Sequence, residues 1–377
     1  MKGANTIFII ILLITAGCGG DKQSADDFVS VDVTASYSKK ELVLQDFMEV
    51  EYIPLETIDE FLCQGIVLAI GKEIILVKNQ INDGDIFVFD KNGKGLRKIN
   101  RKGGSGEEYS NILGVILDED NGEIFINDVI AKRIIVYDLY GKFERSFRHK
   151  EDSQYINIYN FDKENLICNV TSGSPFIVIS KQDGSIVNDI QISYEQKKSP
   201  IITKQIQVNG NSISVGTGYM YFPIIPYQDS WILTEPSSDT IFIFSTDYSK
   251  VPFIVRTPSI QSMSLEIFLF PRIITDRYYF MEIVKKEDDF SKIDLLYDRQ
   301  ESTIYEYIFY NDDFSNKRTV DMIQKNVNDG IVFWQKLEAH DLVESYEKGE
   351  LKGRLKEIAS NLEDEANPVI MLVKYRK

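Results

Sequence analysis

The sequence of 377 residues predicts an all-β fold of the propeller type, and three observations carry that expectation. Its 22 Phe and 20 Tyr join many Ile and Val, residues that suit a pleated, half-buried surface. Short alternating apolar runs recur along the chain, separated by turns rich in Asp and Gly. A turn unit also repeats. Phe89-Asp90-Lys91-Asn92-Gly93-Lys94 returns 48 residues later as Tyr137-Asp138-Leu139-Tyr140-Gly141-Lys142. A weaker copy, Ser180-Lys181-Gln182-Asp183-Gly184-Ser185, follows after a further 43, with echoes at 244–248 and 297–301. Several short strands in each 43 to 50 residues is the period of a propeller blade. Within each unit Gly accepts the positive φ that a tight hairpin demands.

Bulk composition narrows the chemistry. With 42 Lys and Arg against 58 Asp and Glu the net charge is -16, and nucleic acid is excluded as a partner because its binding needs cations on the phosphates. A hydrophobic fraction of 43 % is enough for a sizeable core. His149 and His340 are the only histidines, which weighs against any centre built from several imidazoles. Cys63 and Cys168 stand 105 positions apart, outside metal-type spacing, and are expected as small buried hydrophobes; whether they pair is left open.

The N-terminus reads as an address. Lys2 precedes the uncharged run Ile7–Ile14, which is too short to span a bilayer but suits a signal-peptide core. Thr15-Ala16-Gly17-Cys18 then resembles a bacterial lipobox, with Thr15 where Leu or Val is usual. The resemblance implies a signal peptide over 1–17, acylation of Cys18 and a flexible tether over 18–30, leaving 31–377 as one domain. It also implies an outer-membrane lipoprotein facing the periplasm or the cell surface.

The clearest repeat spans Gly103 to Phe147. A loop, Gly104-Ser105-Gly106-Glu107-Glu108-Tyr109, leads into strand-like runs that end at Asp128, open at Arg133 and turn at Asp138 and Gly141. This unit resembles an NHL-type propeller repeat, and Gly104, Gly106, Asp128, Arg133, Asp138 and Gly141 are its structural positions. The mature chain is similar to the six-bladed β-propeller lipoproteins of Bacteroidetes in its lipobox, this loop, Asp239-Thr240-Ile241-Phe242 and Asn367-Pro368-Val369. Six blades are expected near 61–102, 103–150, 151–200, 201–257, 258–313 and 314–377. The ring would be closed by Val50–Glu56 pairing with Val369–Val373. Asp341 and Glu344 are spaced as a capping box, and Leu351, Leu355, Ile358, Ala359 and Leu362 recur at helical spacing. They predict an amphipathic helix over 341–362, interrupted at Gly349 or Gly353, inserted in the last blade.

No catalytic set emerges. The loop 103–106 lacks the following helix of a phosphate cradle and runs into two glutamates. Asp118-Glu119-Asp120-Asn121-Gly122-Glu123 begins like a calcium loop, but position 12 is Val129, so a hairpin turn explains it. Some NHL-type propellers are zinc lyases with several histidines, and this chain has two. Tyr219, Tyr221, Trp231 and Trp334 are candidates for stacking on a ligand, with core packing as their plainer role. The expected function is a lipid-anchored, non-catalytic module binding an envelope protein or glycan, beside outer-membrane nutrient uptake. No cofactor is expected. The alternative is a carboxylate-based hydrolase or lyase at the channel, assisted by calcium.

Overall fold

The repeated Asp-Gly units join the third and fourth strands of successive meanders. In the computed structural model, which describes residues 28–376 apart from 209–210, 288 and 321–330, six sheets stand side by side as the blades of a propeller. Blade one comprises Ile66–Ile70, Ile74–Lys78, Asp85–Asp90 and Gly95–Asn100. Blade two comprises Gly114–Asp118, Glu123–Asp128, Arg133–Asp138 and Phe143–Arg148, and blade three Tyr155–Asn160, Asn165–Val170, Phe176–Ser180 and Ile186–Ile190. Blade four is built on Ile224–Tyr227, Ser230–Leu233, Thr240–Ser245 and Lys250–Thr257, and blade five on Ile267–Ile274, Tyr278–Lys286, Phe290–Asp298 and Thr303–Asn311. Among the described residues blade six has three strands, Ile331–Leu337, Val369–Tyr375 and Met48–Pro54.

Position within a blade explains the pattern of each strand. Glu123–Asp128 lies between two strands and between two blades, so both of its faces are covered and Ile124, Phe125 and Ile126 are all buried. The fourth strands, Gly95–Asn100 and Phe143–Arg148, have an open outer side and alternate buried with exposed. Core therefore forms between blades. Leu76 and Val88 of blade one meet Ile126 and Ile135 of blade two, while Ile75 and Val77 turn towards Ile370 and Leu372 of blade six.

The repeated turn is the joint between blades. Asp138 Oδ1 accepts the amides of Tyr140 at 2.8 Å and Lys142 at 2.9 Å, and Asp90 does the same for Asn92 and Lys94. Gly141 has φ +83°, and a Cβ there would stand 2.6 Å from Cγ2 of Ile99 on the outer strand of the preceding blade. Gly93 rests in the same way on Pro54, and Gly184 on Phe147. A second contact shares the period: Arg97 Nε donates to the Leu139 carbonyl at 2.8 Å, and Arg145 Nε to the Lys181 carbonyl at 3.0 Å.

The termini meet as expected. Val50 pairs with Val373 and Ile53 with Ile370 in antiparallel register. The N-terminal segment does more than was expected, because Val29–Asp32 adds parallel to Lys250–Thr257 of blade four and Lys39–Val43 adds parallel to Thr303–Asn311 of blade five. Two open outer edges are covered in this way. Ordered strand thus begins within the segment read as tether.

Two local expectations are corrected. Residues 201–257 are not one blade, since Ile201–Val208 and Asn211–Gly218 form a separate two-stranded hairpin ahead of blade four. The capping box at Asp341 does not form. The helix starts one turn earlier, at Ala339 after Glu338, and Asp341 lies in its first turn. The interruption expected at Gly349 or Gly353 is present: the helix is two pieces, Ala339–Glu347 and Gly353–Ala359, parted where Gly349 takes φ +70° and Leu351 pairs with Phe314. Leu342, Leu351, Leu355 and Ile358 pack with Tyr52, Phe309 and Phe333 on the flank of blades five and six.

Gly141→Ala should cost about 2–4 kcal/mol, the sum of left-handed strain and a displaced Ile99. Gly122, at φ +71° with open space around it, supplies the comparison and should cost about 1–2 kcal/mol as alanine. Urea unfolding measures both, and equal losses would show that the contact between blades contributes nothing.

Candidate functional site

First strands of blades one, two and three pack side by side, as do those of four and five, so the turns that follow them gather at one mouth of the channel. A groove of about 330 Å³ opens there, lined from four blades. Lys72 comes from blade one, Leu117 to Asp120 from blade two, Asn160 to Lys163 and Lys181 from blade three, and Asp229 from blade four.

Its floor is a buried ion pair. Lys181 Nζ lies 2.6 Å from Asp118 Oδ2 and donates to the Asp162 carbonyl at 2.7 Å, with both residues at most 6 % exposed. Asn121 donates its amide and its Nδ2 to the same Asp118 carboxylate. One wall is Glu119, whose carboxylate accepts the backbone amides of Lys72, Glu73 and Ile74 from blade one. That carboxylate fills the space a side chain on Gly71 would need. On the rim, a hydrogen bond from Lys72 at 2.8 Å holds the Asp120 carboxyl below its ordinary range. Asn160 donates Nδ2 to the Leu117 carbonyl, while its buried Oδ1 accepts no hydrogen bond. Lys163 and Asp229 are exposed at the edge, and Phe161 backs the wall, stacked on Tyr248. The acidic run 118–123 is thus the hairpin turn expected of it, but its convergence with turns 40 to 110 residues away left no mark in the sequence.

The four aromatic candidates are not brought together. Tyr219 and Tyr221 lie in the connection after the hairpin rather than in a strand, and Tyr221 stacks on Phe270 at 4.4 Å. Trp231 sits beside Tyr159 where blades three and four meet, and Trp334 is buried among residues of blades six and one. Tyr219 donates to Glu282 Oε2 at 2.7 Å and accepts from Arg272, which also pairs with Glu282. Arg272 occupies a β-bulge between Pro271 and Ile273, which re-aims it at that carboxylate. Burial holds the Glu282 carboxyl above its ordinary range even with Arg272 beside it.

Asp128 and Arg133 clamp the glycine-rich loop: Asp128 accepts from Ser110 N at 2.7 Å and from Ala131 N, while Arg133 donates to the carbonyls of Ser105, Gly106 and Glu108. Gly104 and Gly106 face open space. Cys63 and Cys168 are buried free thiols, and burial pushes the Cys63 thiol up to about 11. Among the described residues no three His, Cys, Asp or Glu gather as a metal-binding group, and no helix is long and apolar enough to cross a membrane. Cys18 lies outside the described residues.

His149 is buried, stacked on Tyr155, with Nε2 bonded to Asn127 Oδ1 at 2.9 Å and Nδ1 accepting the Tyr155 amide. Burial pulls its pKa down to about 4. The depressed value means that neutral His149 supports folding above the unfolded pKa of about 6.5, and that this support fades as pH falls towards 4. Stability should drop by roughly 2–3 kcal/mol across that window from this group alone. In His149→Gln the part of the slope due to imidazole should disappear from pH-dependent urea midpoints; an unchanged slope would assign it elsewhere.

Comparison with known proteins gives a family and a fold. A family model described as a domain of unknown function, DUF4934, matches residues 28–374. No curated protein matches. Among solved structures, a protein of Bacteroides fragilis NCTC 9343 assigned as exported superposes with a TM-score of 0.62 at 17 % identity, over 90 % of this chain and 100 % of that one. A DUF4221 member from Bacteroides vulgatus gives 0.39 at 10 % identity, covering 88 % and 98 % of the two chains. Virginiamycin B lyase of Staphylococcus aureus gives 0.40 at 10 %, covering 87 % and 100 %.

Proposed function

The chain belongs to the DUF4934 family, and from that membership and the mouth groove we propose a lipid-anchored envelope protein that binds its ligand without transforming it. The observation that carries this reading is the fixed state of the groove. Asp118, Lys181 and Glu119 are locked by bonds between blades, so a ligand meets a polar surface that needs no ordering. Lys163 and Asp229, exposed on the rim, are left to contact it. Both signs of charge beside amide groups suit a glycan or a polar protein segment of the envelope, as a partner of outer-membrane uptake would carry. Export is supported by the lipobox at Cys18, where acylation would place the protein on the outer membrane, facing periplasm or surface. Likeness to an exported Bacteroides protein agrees with it.

The rival, a carboxylate-based hydrolase or lyase assisted by calcium, is favoured by one observation: Glu282 is a buried acid held above its ordinary range. It lies beside Tyr219 and Phe270, outside the groove lining.

Arrayed envelope glycans and peptides, probed with the purified mature chain, test the groove. A retained ligand should bind about tenfold more weakly to the Lys163→Ala, Asp229→Ala double variant, a loss of about 1.4 kcal/mol. Both residues are exposed, so the melting temperature should not move. Undiminished binding would place the site elsewhere. Turnover of the ligand that vanishes in a folded Glu282→Gln variant would replace binding with catalysis.

A further inference from the structure

The side of the propeller opposite the groove has a different chemistry. Connections into the first strands and turns between second and third strands open there, and they present Leu113, Ile130 and Met220 at 60 %, 67 % and 80 % exposure. The hairpin 201–218 springs from the same side, because it precedes the first strand of blade four. Its register sorts its residues into two faces. Ile202, Lys204 and Ile206 lie opposite Thr217, Val215 and Ile213, whereas Thr203, Gln205 and Gln207 lie opposite Gly216, Ser214 and Ser212. One face is polar and internally bonded, with Gln205 and Ser212 at 3.0 Å. The other sets Ile202, Ile206, Ile213 and Val215 around Lys204, and Ile206, Ile213 and Val215 are each more than 40 % exposed. A two-stranded ribbon is marginal in water by itself, so a surface that covers this face would stabilise it.

Charge points to that surface, and chain length permits it. From residue 196 to 228 there is no Asp or Glu, although the chain holds 58, and the charges present are Lys197, Lys198 and Lys204. Ion pairs of Lys197 with Glu235 and of Lys198 with Glu266 fasten the hairpin's base to the body, leaving the ribbon itself without anionic groups. A net charge of -16 would hold the protein away from anionic headgroups, and the segment 196–228 adds nothing to that repulsion. Val29–Asp32 runs parallel to Lys250–Thr257 and so towards this side, which starts the chain before Val29 from the groove side. Cys18 lies eleven residues before Val29, and at most about 35–40 Å of extended chain is enough for it to turn back past the edge of blade four to this face.

We propose that the strands 201–208 and 211–218, with the exposed aliphatic tips on the same side of the ring, are a second footing on the lipid bilayer, inserting shallowly among the headgroups and turning the polar groove towards the aqueous side. Isolated aliphatic tips and a narrow ribbon suit a fluid interface, which adapts to them; a protein partner needs a contiguous, complementary patch. The footing goes beyond ligand binding at the groove and is measurable without it.

The test uses the chain from residue 18 onward carrying Cys18→Ser, so that no acyl chain contributes, and vesicles of phosphatidylethanolamine with a minority of phosphatidylglycerol. The protein should co-float with the vesicles. Ile206→Ser with Ile213→Ser should lower the partition coefficient about tenfold, whereas Gln205→Ala on the polar face should leave it unchanged. Near-ultraviolet circular dichroism and melting temperature should be preserved in all three, since the hairpin adds nothing to the cores between blades. Failure of the acyl-free protein to co-float would overturn the footing, as would co-flotation unaffected by the double substitution. A dimer in sedimentation that the same substitution dissociates would assign the apolar face to a second copy instead. None of these outcomes depends on a groove ligand or on acylation of Cys18.

Discussion

Close approach between the third hairpin turn of one blade and the outer strand of the blade before it is the constraint on which this ring depends. At Gly93, Gly141 and Gly184 the backbone comes within reach of Pro54, Ile99 and Phe147, at positive φ and with no room for a Cβ. A side chain there would wedge neighbouring blades apart. Buried residues are divided among cores that lie between blades, so each blade is stable only while its neighbours stay close. The aspartate that shapes the turn and the arginine that reaches across to it act at the same junction.

The N-terminal segment extends that logic to the half of the ring where the repeat weakens. Blades four and five lack the turn glycine, and among the described residues blade six has three strands. Here the chain before residue 55 passes over three successive blades, adding a strand to each. Pairing through the backbone tolerates many sequences, so it can hold blades whose turns have lost their signature. A segment that begins next to the expected anchor is in this way part of the fold.

What was legible in the sequence follows from this division. Blades one to three could be read because the constraint selects particular residues at a fixed period, and the partner of Val369–Val373 could be read because a strand covered on both faces is continuously apolar. Parallel addition at an outer edge imposes no such pattern, so Val29 and Ser30 read as tether and Lys39–Val43 falls in no expected blade. The hairpin was merged into blade four because its alternation, Ile202, Ile206, Ile213 and Val215, is that of any half-buried strand. The groove was hidden for another reason. Asp118, Lys72, Asn160 and Asp229 look like ordinary turn residues, and only ring closure makes them neighbours.

The same division bears on how such a ring can acquire a site. Its cores lie between blades, while the mouth turns rest on the ends of strands fixed elsewhere. Lys163 and Asp229 could be exchanged with little effect on the ring, because neither contributes to a core. Asp118 and Lys181 could not be changed singly, because the remaining partner would be a buried, unpaired charge, at a cost of about 3–5 kcal/mol. The groove therefore combines a floor that the fold must keep with a rim that it does not need. Specificity for a ligand has to reside in that rim, and relatives that keep the Asp118–Lys181 pair should differ from one another in the residues at 163 and 229.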